Sequence, residues 1–264
     1  KKKKVIAFKN GFHGRTSAAV AVTDNTKIIA PINAQQEIEL FDLGDIIGVA
    51  NALSNNDVCA VIIECVQGVG GLDESTTSFY KRLHHLCKKF NVVLIADEVQ
   101  SGFGRTGDFF AFQKHKIIPD IISMAKGMGN GFPIGGILIH PKIKASFGLL
   151  GTTFGGNHLA CTASLTVLEV IKKEKLQENA KIIFDYFKKE AQSLPHLKAI
   201  KGRGLMLGLE FDFPISELRK KLIYKHHIFT GNAKNPNVLR ILPSLTVKKM
   251  HIDLFFTALK TEVL

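Results

Sequence analysis

Two ionisable residues stand where apolar runs stop. Asp97 follows the run 92–96 (VVLIA), and Lys126 follows the run 117–125 (IIPDIISMA). Both runs are short, rich in Val and Ile, and lack the alternation of a half-exposed strand. They read as strands buried on both faces of a parallel sheet. Ligands of open α/β sheets sit beyond the carboxyl ends of the strands. Neighbouring strands could therefore aim Asp97 and Lys126 at one ligand, and Gly127, Gly129 and Gly131 let the backbone turn tightly behind the lysine. An amine can condense with a carbonyl cofactor, and pyridoxal phosphate (PLP) also needs an anion against its ring nitrogen. On residue type and spacing alone, the pair could equally be a buried ion pair or two solvated loop charges.

Three further stretches carry suitable groups. The loop NGFHGRT (10–16) puts an aromatic ring, an imidazole and a guanidinium among glycines. Phe12 could stack on a planar ligand or pack in the core. Arg15 could clamp a carboxylate or be solvated, and His13 reads as a structural hydrogen-bonding residue. The stretch GTTFGGN (151–157) offers hydroxyls and small residues before a helix. That suits a phosphate or ordinary capping by Asn157. Arg240 sits on a short apolar strand before Pro243, where an ion-pairing or edge role is the plain reading.

These strings occur in a familiar order. FHGRT (12–16), IIECVQG (62–68), ADEVQSGFGRTG (96–107), PDIISMAKGMGNGFPIGG (119–136), GTTFGGN and VLRILPSL (238–245) together resemble the class III, ornithine-type, PLP-dependent aminotransferases. The resemblance covers essentially the whole chain and is nearest to the acetylornithine branch. It implies the α/β fold of the fold-type I PLP-dependent transferases: a large domain with a mostly parallel sheet and a small C-terminal α+β domain. It also implies that Lys126 holds PLP and moves the proton, with Asp97 against the ring nitrogen. Phe12 and Val99 then flank the ring, and Gln100 bonds the ring oxygen. Thr153 reaches the phosphate of a neighbouring subunit, which makes the protein a homodimer with a shared active site. Arg15, Glu64 and Arg240 fall on the substrate side, and no metal is implied.

The implied reaction moves the terminal amino group of N-acetylornithine to 2-oxoglutarate, as in arginine biosynthesis. N-succinylornithine or ornithine δ-aminotransfer is the alternative within the family. A non-catalytic ligand-binding fold-type I dimer, or a nucleotide binder using Gly127–Gly131, is the alternative outside it; that glycine pattern follows the lysine, not a strand directly. One departure bears on substrate choice. The family's second glutamate, which pairs with the arginine at 240, is Val69 here. Its loss leaves Arg240 available for an α-carboxylate, which suits an N-acylated ornithine.

The remaining chain must position these groups. Its 264 residues suffice for one large domain or two modest ones, with a division expected between 1–160 and 161–264. The resemblance also implies an upstream Ser/Gly-rich phosphate-binding turn that lies outside these residues. The large domain is thus expected to lack its N-terminal part, the chain starting where an ordered body starts. Strands are predicted at 5–8, 58–64, 135–140, 205–211, 227–230 and 238–242. Helices are predicted at 43–53, 75–90, 159–172, 178–194, 215–226 and 248–263, and the stretch 23–39 reads as irregular. A net charge of +12 favours anionic ligands, but the lysines are scattered and not interleaved with aromatics, which argues against nucleic acid. No apolar run is long enough for a membrane span. Four cysteines without CxxC spacing suggest buried thiols in a reducing cytoplasm.

Overall fold

The apolar runs singled out above assemble into one sheet. The computed structural model describes residues 2–149 and 151–263. In chain order, the first part comprises β1 (Lys4–Phe8), α1 (Ser17–Ala21), β2 (Ile38–Phe41), α2 (Ile46–Ser54), β3 (Val58–Ile63), α3 (Thr77–Lys89), β4 (Val93–Asp97), β5 (Ile121–Met124) and β6 (Gly136–Ile139). The strand order is β2-β1-β3-β4-β5-β6. The first five run parallel, and β6 runs antiparallel to β5. Helices cover the sheet: Val49 and Leu53 of α2 and Phe79, Tyr80, Leu83 and Cys87 of α3 share a core with Ile6, Phe8, Val61, Ile63 and Leu94. The α3 N-terminus is capped by Thr76, whose Oγ1 accepts the Phe79 N–H at 3.2 Å.

The second part comprises α4 (His158–Lys173), α5 (Leu176–Ala191), β7 (Leu197–Arg203), β8 (Met206–Phe211), α6 (Ser216–Tyr224), β9 (Gly231–Asn232), β10 (Val238–Ile241) and α7 (Lys249–Val263). Its sheet, β7-β8-β10-β9, is antiparallel. One face packs Leu207, Leu209, Phe211 and Leu239 against Ile183 and Phe187 of α5 and Phe255, Phe256 and Leu259 of α7. Burying each of these large side chains contributes roughly 1.5–3 kcal/mol. The two cores are joined by Arg203 at the end of β7. Its guanidinium donates to Asp108 (3.1 Å) and to the Ala111 carbonyl (3.0 Å) and lies 3.4 Å from Glu74.

Several expectations are corrected. The stretch 23–39 is not wholly irregular, since β2 begins at Ile38, and β7 was not anticipated. Residues 227–230 pair with no strand; the pairing starts at Gly231. The run 117–125 shortens to Ile121–Met124, because the Asp120 carboxylate turns back to accept the Leu94 N–H at 2.9 Å. The division between 1–160 and 161–264 stays an expectation; it would run through α4.

Candidate active site

Four adjacent parallel strands, β1, β3, β4 and β5, end on one side of the first sheet, and each is followed by a candidate. Phe12 and His13 lie just beyond β1, Glu64 follows β3, Asp97 closes β4, and Lys126 lies two residues past β5. Those residues, with Val99 and Gln100, line a cavity of about 170 Å³. Asp97 and Lys126 therefore share one cavity.

Asp97 is buried, with 6% of its surface exposed. Its Oδ1 accepts the Val99 N–H and the Ser123 hydroxyl, each at 3.1 Å. Its Oδ2 lies 2.7 Å from His13 Nδ1 and keeps a second lone pair for a ligand. Ser123 faces Asp97 because the two residues are in register across β4 and β5. Neither His13 nor Ser123 was anticipated as a partner of Asp97. A lone hydroxyl inside the apolar β5 was the available signal for Ser123. The neighbouring Glu98 points elsewhere: its carboxylate accepts Ser101 Oγ and the N–H groups of Ala111 and Phe112.

Lys126 opens a short 3₁₀ turn, Lys126–Met128, at φ +43°. A lysine held in the left-handed region is strained, and such strain persists where the surroundings over-determine it. Its carbonyl accepts the N–H groups of Gly129 and Asn130, both at 3.1 Å. The side chain is exposed overall, yet burial is the leading influence on its amine and holds the pKa below the ordinary lysine value. Asp97 and Glu64 oppose that shift and Arg240 adds to it. A lowered pKa leaves more of the amine unprotonated and nucleophilic. Lys126 and Gln100 also line a second cavity of about 470 Å³ bounded by α4 and by Leu242–Thr246, whose only other charged lining group is Arg105. The acid–base groups cluster in the smaller cavity. Arg105 is structural, donating to the Leu205 and Pro243 carbonyls.

Glu64 uses both carboxylate oxygens on backbone. Oε1 accepts the Phe12 N–H at 2.8 Å, and Oε2 accepts the Gly68 N–H at 3.1 Å. Burial pushes its pKa up to about 7, with the His13 charge acting in the opposite direction. Arg240 Nη1 donates to the Gly68 carbonyl at 2.7 Å, and its Nε is buried without a partner. Gly231, lacking a Cβ, leaves space beside that nitrogen: a Cβ there would lie 3.1 Å from Nε. No carboxylate pairs with Arg240 among the described residues, and Val69, in place of a glutamate, lines the cavity. Arg15 and Thr153 are exposed and lie outside both cavities. Asn157 caps α4, its Oδ1 accepting the Ala160 N–H at 2.9 Å.

The groups present fit a pyridine-ring cofactor. Gln100 lines the cavity and its buried Oε1 has no hydrogen-bond partner among the described residues, so its amide is held by no protein hydrogen bond there and its NH₂ can donate to a ring oxygen. Phe12 and Val99 supply apolar surface, Asp97 an anion, and Lys126 an amine. Among the described residues, no cluster of three or more His, Cys, Asp or Glu could hold a metal, and no helix is long and apolar enough to cross a membrane.

Comparison with known proteins agrees with this arrangement. Acetylornithine aminotransferase of Aquifex aeolicus is 39% identical over 97% of this chain and 68% of its own length. Ornithine aminotransferase of Toxoplasma gondii superposes with a TM-score of 0.90 at 29% identity, covering 100% of this chain and 65% of that one. A second structure of the Toxoplasma gondii enzyme, with a TM-score of 0.89 at 29% identity over 100% of this chain and 64% of that one, has PLP at partial occupancy in its active site. The chain thus spans about two thirds of the length of these relatives. The family model "Aminotransferase class-III" matches residues 1–263, and the chain belongs to the class III aminotransferases.

Proposed function

We propose that the protein is a PLP-dependent aminotransferase that moves the terminal amino group of N-acetylornithine to 2-oxoglutarate. The observation that carries this reading is the cavity shared by the Lys126 amine and the Asp97 carboxylate, whose lining also includes Phe12, Val99 and Gln100. When bound, PLP supplies an electrophilic carbonyl and a ring that accepts electrons. Asp97 keeps a proton on the ring nitrogen, and His13 and Ser123 hold that carboxylate in place. Phe12 and Val99 exclude water, which strengthens the Asp97 charge effect. Lys126 Nζ would hold the cofactor and, once freed, would take a proton from the substrate carbon that bears the amino group and deliver it to the cofactor's carbonyl carbon. Arg240 and Arg15 receive substrate carboxylates. Thr153 of a second protomer reaches the phosphate, which makes the working form a homodimer. The four free thiols support a cytoplasmic setting.

The unpaired Arg240 supports the acylated substrate, since nothing among the described residues masks it from an α-carboxylate in either half-reaction. Ornithine δ-aminotransfer is the alternative; activity on free ornithine exceeding that on N-acetylornithine would favour it. Lys126→Ala should abolish turnover and the visible absorbance of the bound cofactor. Retained turnover would remove Lys126 from the mechanism.

A further inference from the structure

We propose that Glu64 is a positioning residue that couples the two ends of the site, tying the ring-stacking Phe12 to the carboxylate-binding Arg240 through the single residue Gly68. The inference rests on the transaminase reading for the roles of Phe12 and Arg240; the linkage itself rests on geometry.

The linkage has three bonds. The Phe12 N–H donates to Glu64 Oε1 at 2.8 Å. Glu64 Oε2 accepts the Gly68 N–H at 3.1 Å. The carbonyl of Gly68 then accepts Arg240 Nη1 at 2.7 Å. Gln100 Oε1 lies against Gly68, 1.6 Å from the place a Cβ would take, so the close approach needs a glycine here. Arg240 has no carboxylate partner among the described residues, and its Nε is unpaired. The Gly68 carbonyl is thus the contact that orients its guanidinium. One buried carboxylate, 7% exposed, fixes Phe12 directly, Arg240 through one residue, and the Gly68 surface on which Gln100 rests.

The arrangement depends on Glu64 being ionised. A carboxylate accepts two N–H groups strongly, one on each oxygen; protonation makes one oxygen a hydroxyl, a much poorer acceptor whose own proton needs an acceptor in turn. The charged and titratable groups facing Glu64 are His13 beyond β1, Asp97 on β4, Lys126 beyond β5 and Arg240 on β10, with Cys65 next in the chain. Burial in this company raises its pKa to about 7. Protonation near neutrality releases either the Phe12 loop or the Gly68 peptide, so carboxylate binding at Arg240 weakens as pH falls through that range.

The test is Glu64→Gln in the PLP-loaded protein. Glutamine keeps the shape but presents an NH₂ to one of the two N–H groups. A charge-assisted hydrogen bond at stake predicts an affinity for 2-oxoglutarate lower by about 10-fold or more at pH 8, by calorimetry. The wild-type affinity should decline from pH 8 to pH 6, and the variant's should not. In turnover, KM should rise more than kcat falls, and an amine donor lacking a carboxylate should be least affected. Glu64→Asp, which keeps the charge but cannot span both N–H groups, should weaken binding while retaining a pH slope; it serves also if the glutamine variant does not fold. Equal affinities in variant and wild type at every pH, no measurable binding in either included, overturn the coupling. An affinity difference in a wild type without aminotransfer would support the coupling and refute the transaminase reading alone.

Discussion

Gly68→Ala separates the chemistry of the site from its fold. A Cβ at this position would lie 1.6 Å from Gln100 Oε1, 2.6 Å from Gln100 Cδ and 3.0 Å from Met206 Cε. All three atoms are at or near the ends of flexible side chains, so they can move. Gly68 is not among the glycines with positive φ, so the backbone accepts alanine. Loss of a glycine from the unfolded chain contributes about 0.4–1 kcal/mol in favour of folding. Displacing Gln100 into a poorer rotamer costs about 0.5–1.5 kcal/mol. The two nearly cancel, and stability should change by less than about 1 kcal/mol. Function should not escape. The Gln100 amide is driven off the place where, on the proposed function, it would meet a ring oxygen of the cofactor. Losing a hydrogen bond to a charged group, about 1.5–3 kcal/mol, weakens PLP binding by about 10- to 100-fold. The assay is a titration of apoprotein with PLP by visible absorbance, beside urea unfolding of the same samples. Gln100→Ala should reproduce the loss, and the double variant should add little to it, as expected of two changes acting on one contact. Wild-type PLP affinity in Gly68→Ala, or destabilisation beyond about 3 kcal/mol, would refute the reasoning.

Two other predictions concern the folded state. Arg203→Met takes the buried guanidinium from Glu74, Asp108 and the Ala111 carbonyl at the junction of the cores, while Glu74 keeps Lys114 and Asp108 keeps Lys181; it should cost about 1–3 kcal/mol in urea unfolding, and no measurable loss would show the junction to be held by packing instead. Glu64 sets a pH dependence of definite sign. Its folded pKa is raised from 4.5 to about 7, so between those values the folded state binds more protons than the unfolded one and stability falls as pH rises. The contribution is on the order of 3 kcal/mol across the window. Glu64→Gln should flatten that part of the profile, and identical urea midpoints against pH for both proteins would sink the assignment.

Asp97 could be read from sequence because the largely buried β4 leaves few uses for charge at its end, whereas Lys126 follows the half-buried β5 and stood out by the glycines behind it. The partners that hold Asp97 could not. His13 reaches it only because β1 and β4 flank β3, an arrangement that joins residues 84 apart. The strands β2 (IELF) and β7 (LKAIKGR) escaped for another reason. Each lies at the edge of its sheet, where charged side chains such as Glu39 and Lys198 blur the apolar signal and protect the edge. Helix positions followed from spacing, with ends displaced by one to three residues: 75–90 became Thr77–Lys89 once Thr76 was found to be the cap. The extended stretch 227–230 carried strand-like composition, yet the Thr230 carbonyl is taken by Arg219 Nε at 2.8 Å. Side-chain capture of that kind has no local signature.

The reversed direction of β6 governs how Lys126 can travel. A parallel neighbour for β5 would need a crossover of about a dozen residues or more, usually carrying a helix. Because β6 returns alongside β5, the lysine rides on a direct hairpin connection stitched to the sheet at Met124 and again at Gly136. Its backbone is leashed at both ends, leaving the four methylenes of the side chain as the swinging arm. In the proposed reaction an amine tethered so closely would stay beside the reacting carbon after release, at a high effective concentration for its return.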